Sequence, residues 1–158
     1  DTISITKRNW KPELKSGLIK LIELPRHELF DGRVRQSAID EASGEIICNL
    51  DTDDYFLPHH LTSIIRSFSK DVDWGYWNHI TRPDNLKNVD YITNVLPKLG
   101  SIGNGNISWR KRLNVTWDKC DGIHDNQLFI SQLIEKYPNH KHFYGCGYVI
   151  THIKIIVK

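Results

Sequence analysis

Gly44-Glu45-Ile46-Ile47-Cys48-Asn49-Leu50-Asp51-Thr52-Asp53-Asp54-Tyr55-Phe56-Leu57-Pro58 is the stretch on which the reading of the chain turns. Ile46 to Leu50 is a short apolar run of the kind that forms a buried strand, and Asp51, Asp53 and Asp54 follow within four positions. Carboxylates this close repel one another unless a divalent cation or a set of hydrogen bonds compensates them. Hard oxygen donors suit Mg²⁺ or Mn²⁺ better than zinc. In an open α/β sheet, ligands bind beyond the carboxyl ends of strands, where this strand would deliver Asp51-x-Asp53. The alternative is structural: Asp54 caps the next helix, and Asp51 ends a strand in water.

Upstream, residues 1–16 are polar, with Lys11-Pro12 marking a turn or a helix start. Gly17 to Leu24 reads as a short strand ended by Pro25. Asp31 is placed to cap a helix from Gly32 to about Ser43, with Val34, Ala38, Ile39 and Ala42 on one face and Arg33 and Arg35 near its start. Downstream, Pro58 opens a helix whose apolar stripe is Leu61, Ile64, Ile65 and Phe68. Strand, helix, strand, helix implies parallel strands joined by crossovers. Val72 to Ile80 reads as one aromatic-rich strand, and Thr81 to Asn88 as a polar loop. Gly100 to Asn106 is the most flexible-looking stretch, expected to order around a ligand. Asp125 to about Lys136 carries a third helical pattern, and His142 to Ile150 and Ile153 to Val157 read as closing strands.

The chain has 158 residues, 39% apolar and 25% charged, enough for one domain with a sizeable core. A net charge of +2 names no nucleic-acid partner. No apolar run is long enough to span a membrane, and no signal peptide is visible. Cys48, Cys120 and Cys146 have neither the number nor the spacing of a disulfide framework or zinc ribbon, so reduced cytosolic thiols are expected. Asn106-Ile107-Ser108 and Asn114-Val115-Thr116 fit the glycosylation acceptor pattern, which matters only in a secreted protein. His59 and His60, adjacent on a helix, point in different directions and do not form a two-histidine clamp. Trp74 and Trp77 read as core, and Trp109, beside the glycine stretch, as a platform on which a ligand ring could stack.

Arg35 to Tyr55 resembles the core of family 2 glycosyltransferases of the GT-A fold: an Arg-Asn pair, a small apolar helix, Ala-x-Gly, an apolar strand and Asp-x-Asp-Asp. Gly103 to Arg112 resembles the family's glycine-rich segment ending in basic residues, and Gly122 to Leu128 its Gly-x-Glu-Asp helix start. The resemblance covers most of residues 32–134 in the family's order. Gln36 stands where the family has Asn and His124 where it has Glu. The family's first nucleotide-binding strand is not recognisable, which implies that the chain begins inside a GT-A domain or lacks the sequence for its start.

The resemblance implies an α/β fold over residues 1–158, a single GT-A-like domain with a mostly parallel sheet flanked by helices. It implies a metal-dependent hexosyltransferase acting, with inversion, from a nucleotide sugar, a UDP-sugar first, onto a saccharide or lipid-linked acceptor in polysaccharide biosynthesis. Residue by residue, Asp53 falls on the metal and Asp51 on the metal or the donor. Arg35, Gly103 and Gly105 fall on the donor, and Asp125 on the general base, whose alternative role is helix capping. His152 follows a closing strand where some members of the fold complete the metal site, its alternative being a satisfied core histidine. The cofactor implied is Mn²⁺ or Mg²⁺, and the location the cytoplasm, including the cytoplasmic membrane face. Two other readings compete. One is a haloacid-dehalogenase-like phosphatase with Asp51 as nucleophile, which expects Thr or Val at position 54 and the motif near the chain start. The other is a carbohydrate-binding domain that keeps the fold without catalysis.

Overall fold

A computed structural model of the protein describes residues 2–24, 32–82, 91–117 and 125–151. The polar start forms two helices, α1 (Thr2–Asn9) and α2 (Lys11–Ser16), the second with Pro12 in its first turn. Gly17 caps α2 in the left-handed region at φ 77°, a conformation that costs glycine little. That cap removes the strand expected over 17–24. The chain bends after Gly17, Ile19 N–H bonds back to Glu13 O at 3.1 Å, and residues 20–24 pair with no described strand.

The helix expected from Gly32 is present as α3 (Gly32–Glu41), and the apolar run as β1 (Ile46–Cys48); its proposed cap, Asp31, lies outside the described residues. A two-residue strand, β2 (Tyr55–Phe56), precedes α4 (His60–Ser67), so Pro58 lies in the turn before the helix rather than opening it. The stripe of α4 is rotated from the one expected. His60 and Ile64 face inward, whereas Leu61 and Ile65 are 52% and 66% exposed.

The single strand expected over 72–80 is two strands in different sheets, β3 (Trp74–Tyr76) and β4 (His79–Arg82). The break falls at Trp77, whose N–H donates to Asn106 O and whose carbonyl accepts from Asn106 Nδ2. Then follow β5 (Tyr91–Thr93), a 3-10 turn (Asn104–Asn106), β6 (Ile107–Arg110), α5 (Asp125–Lys136), β7 (His140–His142) and β8 (Tyr148–Thr151). One sheet has the order β1-β6-β3-β7 and the other β2-β8-β4-β5.

Both sheets are mixed, not mostly parallel. Among the described residues only β3/β7 and β4/β8 pair in parallel; β1/β6, β3/β6, β2/β8 and β4/β5 are antiparallel. The strand–helix–strand inference fails for its first unit, because residues 17–24 form no strand, and holds in direction for the next: β1 and β3, joined through α4, run the same way. It fails for neighbours, because β6 lies between them and opposes both. No described α-helix separates β3, β4, β5 and β6, and antiparallel pairs need none.

β6 is buried along its whole length. Around it and its own Trp109 gather Trp74, Trp117, Phe129 and Leu133, with Trp117 and Phe129 stacked at 4.2 Å. Trp109 is thus core and not a sugar platform, at 1% exposure. Asn106 is equally buried, which removes it as a glycosylation acceptor. A second cluster holds Ile64, Trp77, Phe143 and Tyr148, and Cys48 and Cys146 pack against it. Both are free thiols, pushed up by burial to about 12 and about 11 and therefore poor nucleophiles.

His60 is fully buried, stacks on Phe56 at 4.0 Å and meets Trp77 edge-on at 5.0 Å, with no described partner for either ring nitrogen. Burial, and then the neighbouring His59, push its imidazole down to about 4. The unfolded chain takes up that proton near pH 6.5 and the folded protein does not. This contribution to stability is therefore complete above pH 6.5 and is lost as pH falls from 6.5 towards 4, with a limiting slope of about 1.4 kcal/mol per pH unit. Urea midpoints measured across that window are expected to fall more steeply for the wild type than for His60→Phe.

Candidate functional site

β1 hands its chain to the acidic turn. Past Cys48 the backbone reaches Asp51, whose carbonyl accepts the N–H of Asp54 at 3.2 Å, and then enters β2. The three carboxylates leave this turn on different errands. Asp51 Oδ1 accepts from Arg35 Nη2 at 2.8 Å, bringing α3 against the end of β1. The Arg35 guanidinium also lies over the Trp117 ring, 5.3 Å from its centre. Gln36, next along α3, accepts from the Trp117 N–H at 2.9 Å and the Thr116 hydroxyl at 3.2 Å, so this position ties helix to core.

Asp54 turns away from the groove. Its Oδ1 accepts the Thr151 N–H at 3.0 Å and its Oδ2 the Tyr148 hydroxyl. It does not cap α4, which begins at His60 after a His59 N-cap with no side-chain cap bond. Asp53 is exposed; its carbonyl accepts the Thr151 hydroxyl, and its carboxylate has no partner among the described residues. Val34, Arg35, Leu50, Asp51, Thr52 and Asp53 line an open groove of about 430 Å³, a size that accommodates a small ligand.

The glycine stretch divides in two. Gly100 sits in an exposed turn at φ 79°, whereas Asn104, Gly105 and Asn106 are buried. A Cβ on Gly105 would lie 2.1 Å from the Tyr148 ring, and one on Gly103 3.2 Å from Asn106 Oδ1. Gly105 is thus required by the tyrosine that holds Asp54. The freedom expected of the whole stretch is not available to its second half, because Asn106 is fixed to Trp77 O and to His79 Nδ1.

Asp125 opens α5 as expected, and the start of that helix is tied to the glycine turn by Gly100 N–H donating to Gln127 Oε1 at 2.6 Å. The Asp125 side chain, His152, Cys120 and the segment 122–124 lie outside the described residues. His59 and His60 diverge, one exposed and one buried.

Among the described residues no three His, Cys, Asp or Glu side chains form a ready-made metal cluster. The residues present nonetheless fit an ion such as Mg²⁺, which takes one or two carboxylates and fills its remaining positions with phosphate oxygens and water. Asp53, with an uncommitted carboxylate, and Asp51 are the residues that could supply such donors.

Tyr148 and Thr151 are the members of this site that sequence reasoning missed. Nothing local marks them, since they lie 94 and 97 residues beyond the aspartate they serve. Burial, followed by the bond to Asp54, pushes the Tyr148 phenol upward, so it remains a donor. Gly105→Ala is expected to cost about 1–3 kcal/mol in urea unfolding, the usual penalty of overpacking. In a Tyr148→Ala background that cost should largely vanish, because the atoms the new methyl would strike are gone.

The family model described as glycosyl transferase family 2 matches residues 6–138. No curated protein matches the chain.

Proposed function

Because the chain belongs to glycosyltransferase family 2, we propose that it is a metal-dependent, inverting hexosyltransferase using a nucleotide sugar, a UDP-sugar first, and a saccharide or lipid-linked acceptor. The observation carrying this reading is the split among the three acids: Asp54 is consumed by the protein, Asp51 is paired with Arg35, and Asp53 alone offers an open carboxylate to the groove. Family membership removes the phosphatase reading.

In the proposed reaction an acceptor hydroxyl oxygen attacks the anomeric carbon while the bond from that carbon to the diphosphate breaks. The leaving nucleoside diphosphate takes the electron pair, the hydroxyl proton passes to the Asp125 carboxylate, and the new glycosidic bond has inverted configuration. Asp53 and Asp51 would hold Mn²⁺ or Mg²⁺, which supplies Lewis-acid neutralisation of the leaving diphosphate. Arg35, which pairs with Asp51, would face the donor phosphates on this reading. Gly103 and Gly105 are assigned to the donor by the family resemblance alone, since neither lines the groove and Gly105 lies buried under Tyr148. His152 is the third ligand on this reading, and residues 1–158 make up one catalytic domain.

No described helix is long and apolar enough to cross a membrane. We assign the activity to polysaccharide assembly in the cytoplasm or at its membrane face. Assays with free and lipid-linked acceptors distinguish the two.

Asp53→Ala is expected to abolish metal-dependent UDP binding in calorimetry while leaving the fold intact; full metal dependence in that variant would refute the site. Asp125→Asn should lower turnover by about 10²–10⁴, the usual loss for a positioned base, with donor affinity within a few-fold of wild type. Unimpaired transfer by Asp125→Asn would leave Asp125 as a cap and place the base elsewhere.

A further inference from the structure

Asp53 and Asp54 lie where β1's sheet gives way to the other. The turn they form is held from one side by Arg35 on Asp51 and from the other by β8. β8 is an interior strand of its sheet, antiparallel to β2 with Phe56 opposite Tyr148, and parallel to β4 with Arg82 opposite Thr151. Tyr148 is paired on both edges, and Thr151 by Arg82 on one edge and by Asp54 on the other, so groups projecting from β8 are well placed as fixed references. Tyr148 is 2% exposed, its ring lying against Gly105 and edge-on to Phe56 at 5.8 Å, which fixes where its hydroxyl points.

We propose that Tyr148 and Thr151 are positioning residues for cation binding: together they draw Asp54 inward and brace the Asp53 backbone, so that the Asp53 carboxylate is presented alone to the groove. This rests on the metal reading above. Three bonds carry it. The Tyr148 hydroxyl and the Thr151 N–H occupy both oxygens of Asp54, and the Thr151 hydroxyl donates to the carbonyl of Asp53. Without the tyrosine hydroxyl, one Asp54 oxygen loses its donor beside another carboxylate. The side chain is then free to swing towards Asp53, raising the local repulsion and blurring the ligand geometry. Without the threonine hydroxyl, the peptide carrying Asp53 loses its tie to β8. Neither side chain touches the cation or the sugar on this account; both act through the aspartates.

Tyr148→Phe keeps the ring against Gly105, and Thr151→Val keeps the β-branched shape, so each removes one bond and little else. Mn²⁺ is titrated, with UDP present, into the wild type, both variants and Asp53→Asn, free Mn²⁺ being read by electron paramagnetic resonance; thermal melts without metal report the fold. The expected result is Mn²⁺ affinity about 10-fold weaker in Tyr148→Phe and in Thr151→Val, the usual effect of removing an outer partner. Melts should show a cooperatively folded protein, lowered by no more than the loss of one hydrogen bond, metal-free UDP binding should be unchanged, and wild-type turnover restored at correspondingly higher Mn²⁺. A merely structural role would not produce that rescue. Mn²⁺ affinity within twofold of wild type in both variants, with Asp53→Asn defective, overturns the bracing role and leaves the metal reading standing. Equal Mn²⁺ binding by the wild type and Asp53→Asn overturns the metal reading and the bracing role with it. Should Tyr148→Phe lose its fold, Thr151→Val alone decides.

Discussion

The demand that a wholly buried strand satisfy its polar groups governs this structure. β6 carries Ser108 and Arg110 into the core between two strands that run against it. Ser108 answers by donating to Ile47 O at 2.6 Å. Arg110 spreads its guanidinium over the carbonyls of Val72 and Ser69, at 2.9 and 2.7 Å, and the Glu45 carboxylate. A buried guanidinium left without such partners would cost several kcal/mol, so the register of β1, β3 and β6 is strongly specified. That register brings the 3-10 turn before β6 beside the end of β1. It thereby sets Gly105 under Tyr148 and Tyr148 onto Asp54.

The acid cluster is a second instance of the same constraint. Three carboxylates in four positions cannot all face one groove without mutual repulsion, and the fold disperses them: one to a guanidinium, one to a hydroxyl and an amide, one to solvent. A clustered motif in sequence is thus a divided motif in space. What a cation would meet is fewer acids than the sequence displays, each better positioned.

What was legible in the sequence follows from range. β1, α3 and the acids after them were readable because strand, helix and turn signals there are local, and the family pattern reinforced them. The sheet order was not readable. It depends on β6 inserting between β1 and β3, a pairing of Ile47 with Trp109 across the middle of the chain. Leu61 and Ile65 satisfied the helical period, but the period does not say where a stripe begins, and α4 meets its neighbours through His60 and Ile64 instead. Trp109 looked accessible because a glycine stretch precedes it, yet β-strand pairing on both sides encloses it. Tyr148 and Thr151 carry no signature at all, since hydrogen-bonding to a distant aspartate is a property of the fold and not of the residues around them.

The distance between Asp54 and its partners on β8 has a bearing on the order in which the protein comes into being. Asp54 waits 94 residues for Tyr148, and at ribosomal rates of about 5–20 residues per second that is roughly 5–20 s. Through that interval the nascent acidic turn has neither its hydroxyl nor its amide donor, and β2 has no β8 to pair with. Contacts of such separation also form late in refolding, because the loop they close must be ordered first. The nascent chain therefore carries its full set of acids well before it carries the means to arrange them.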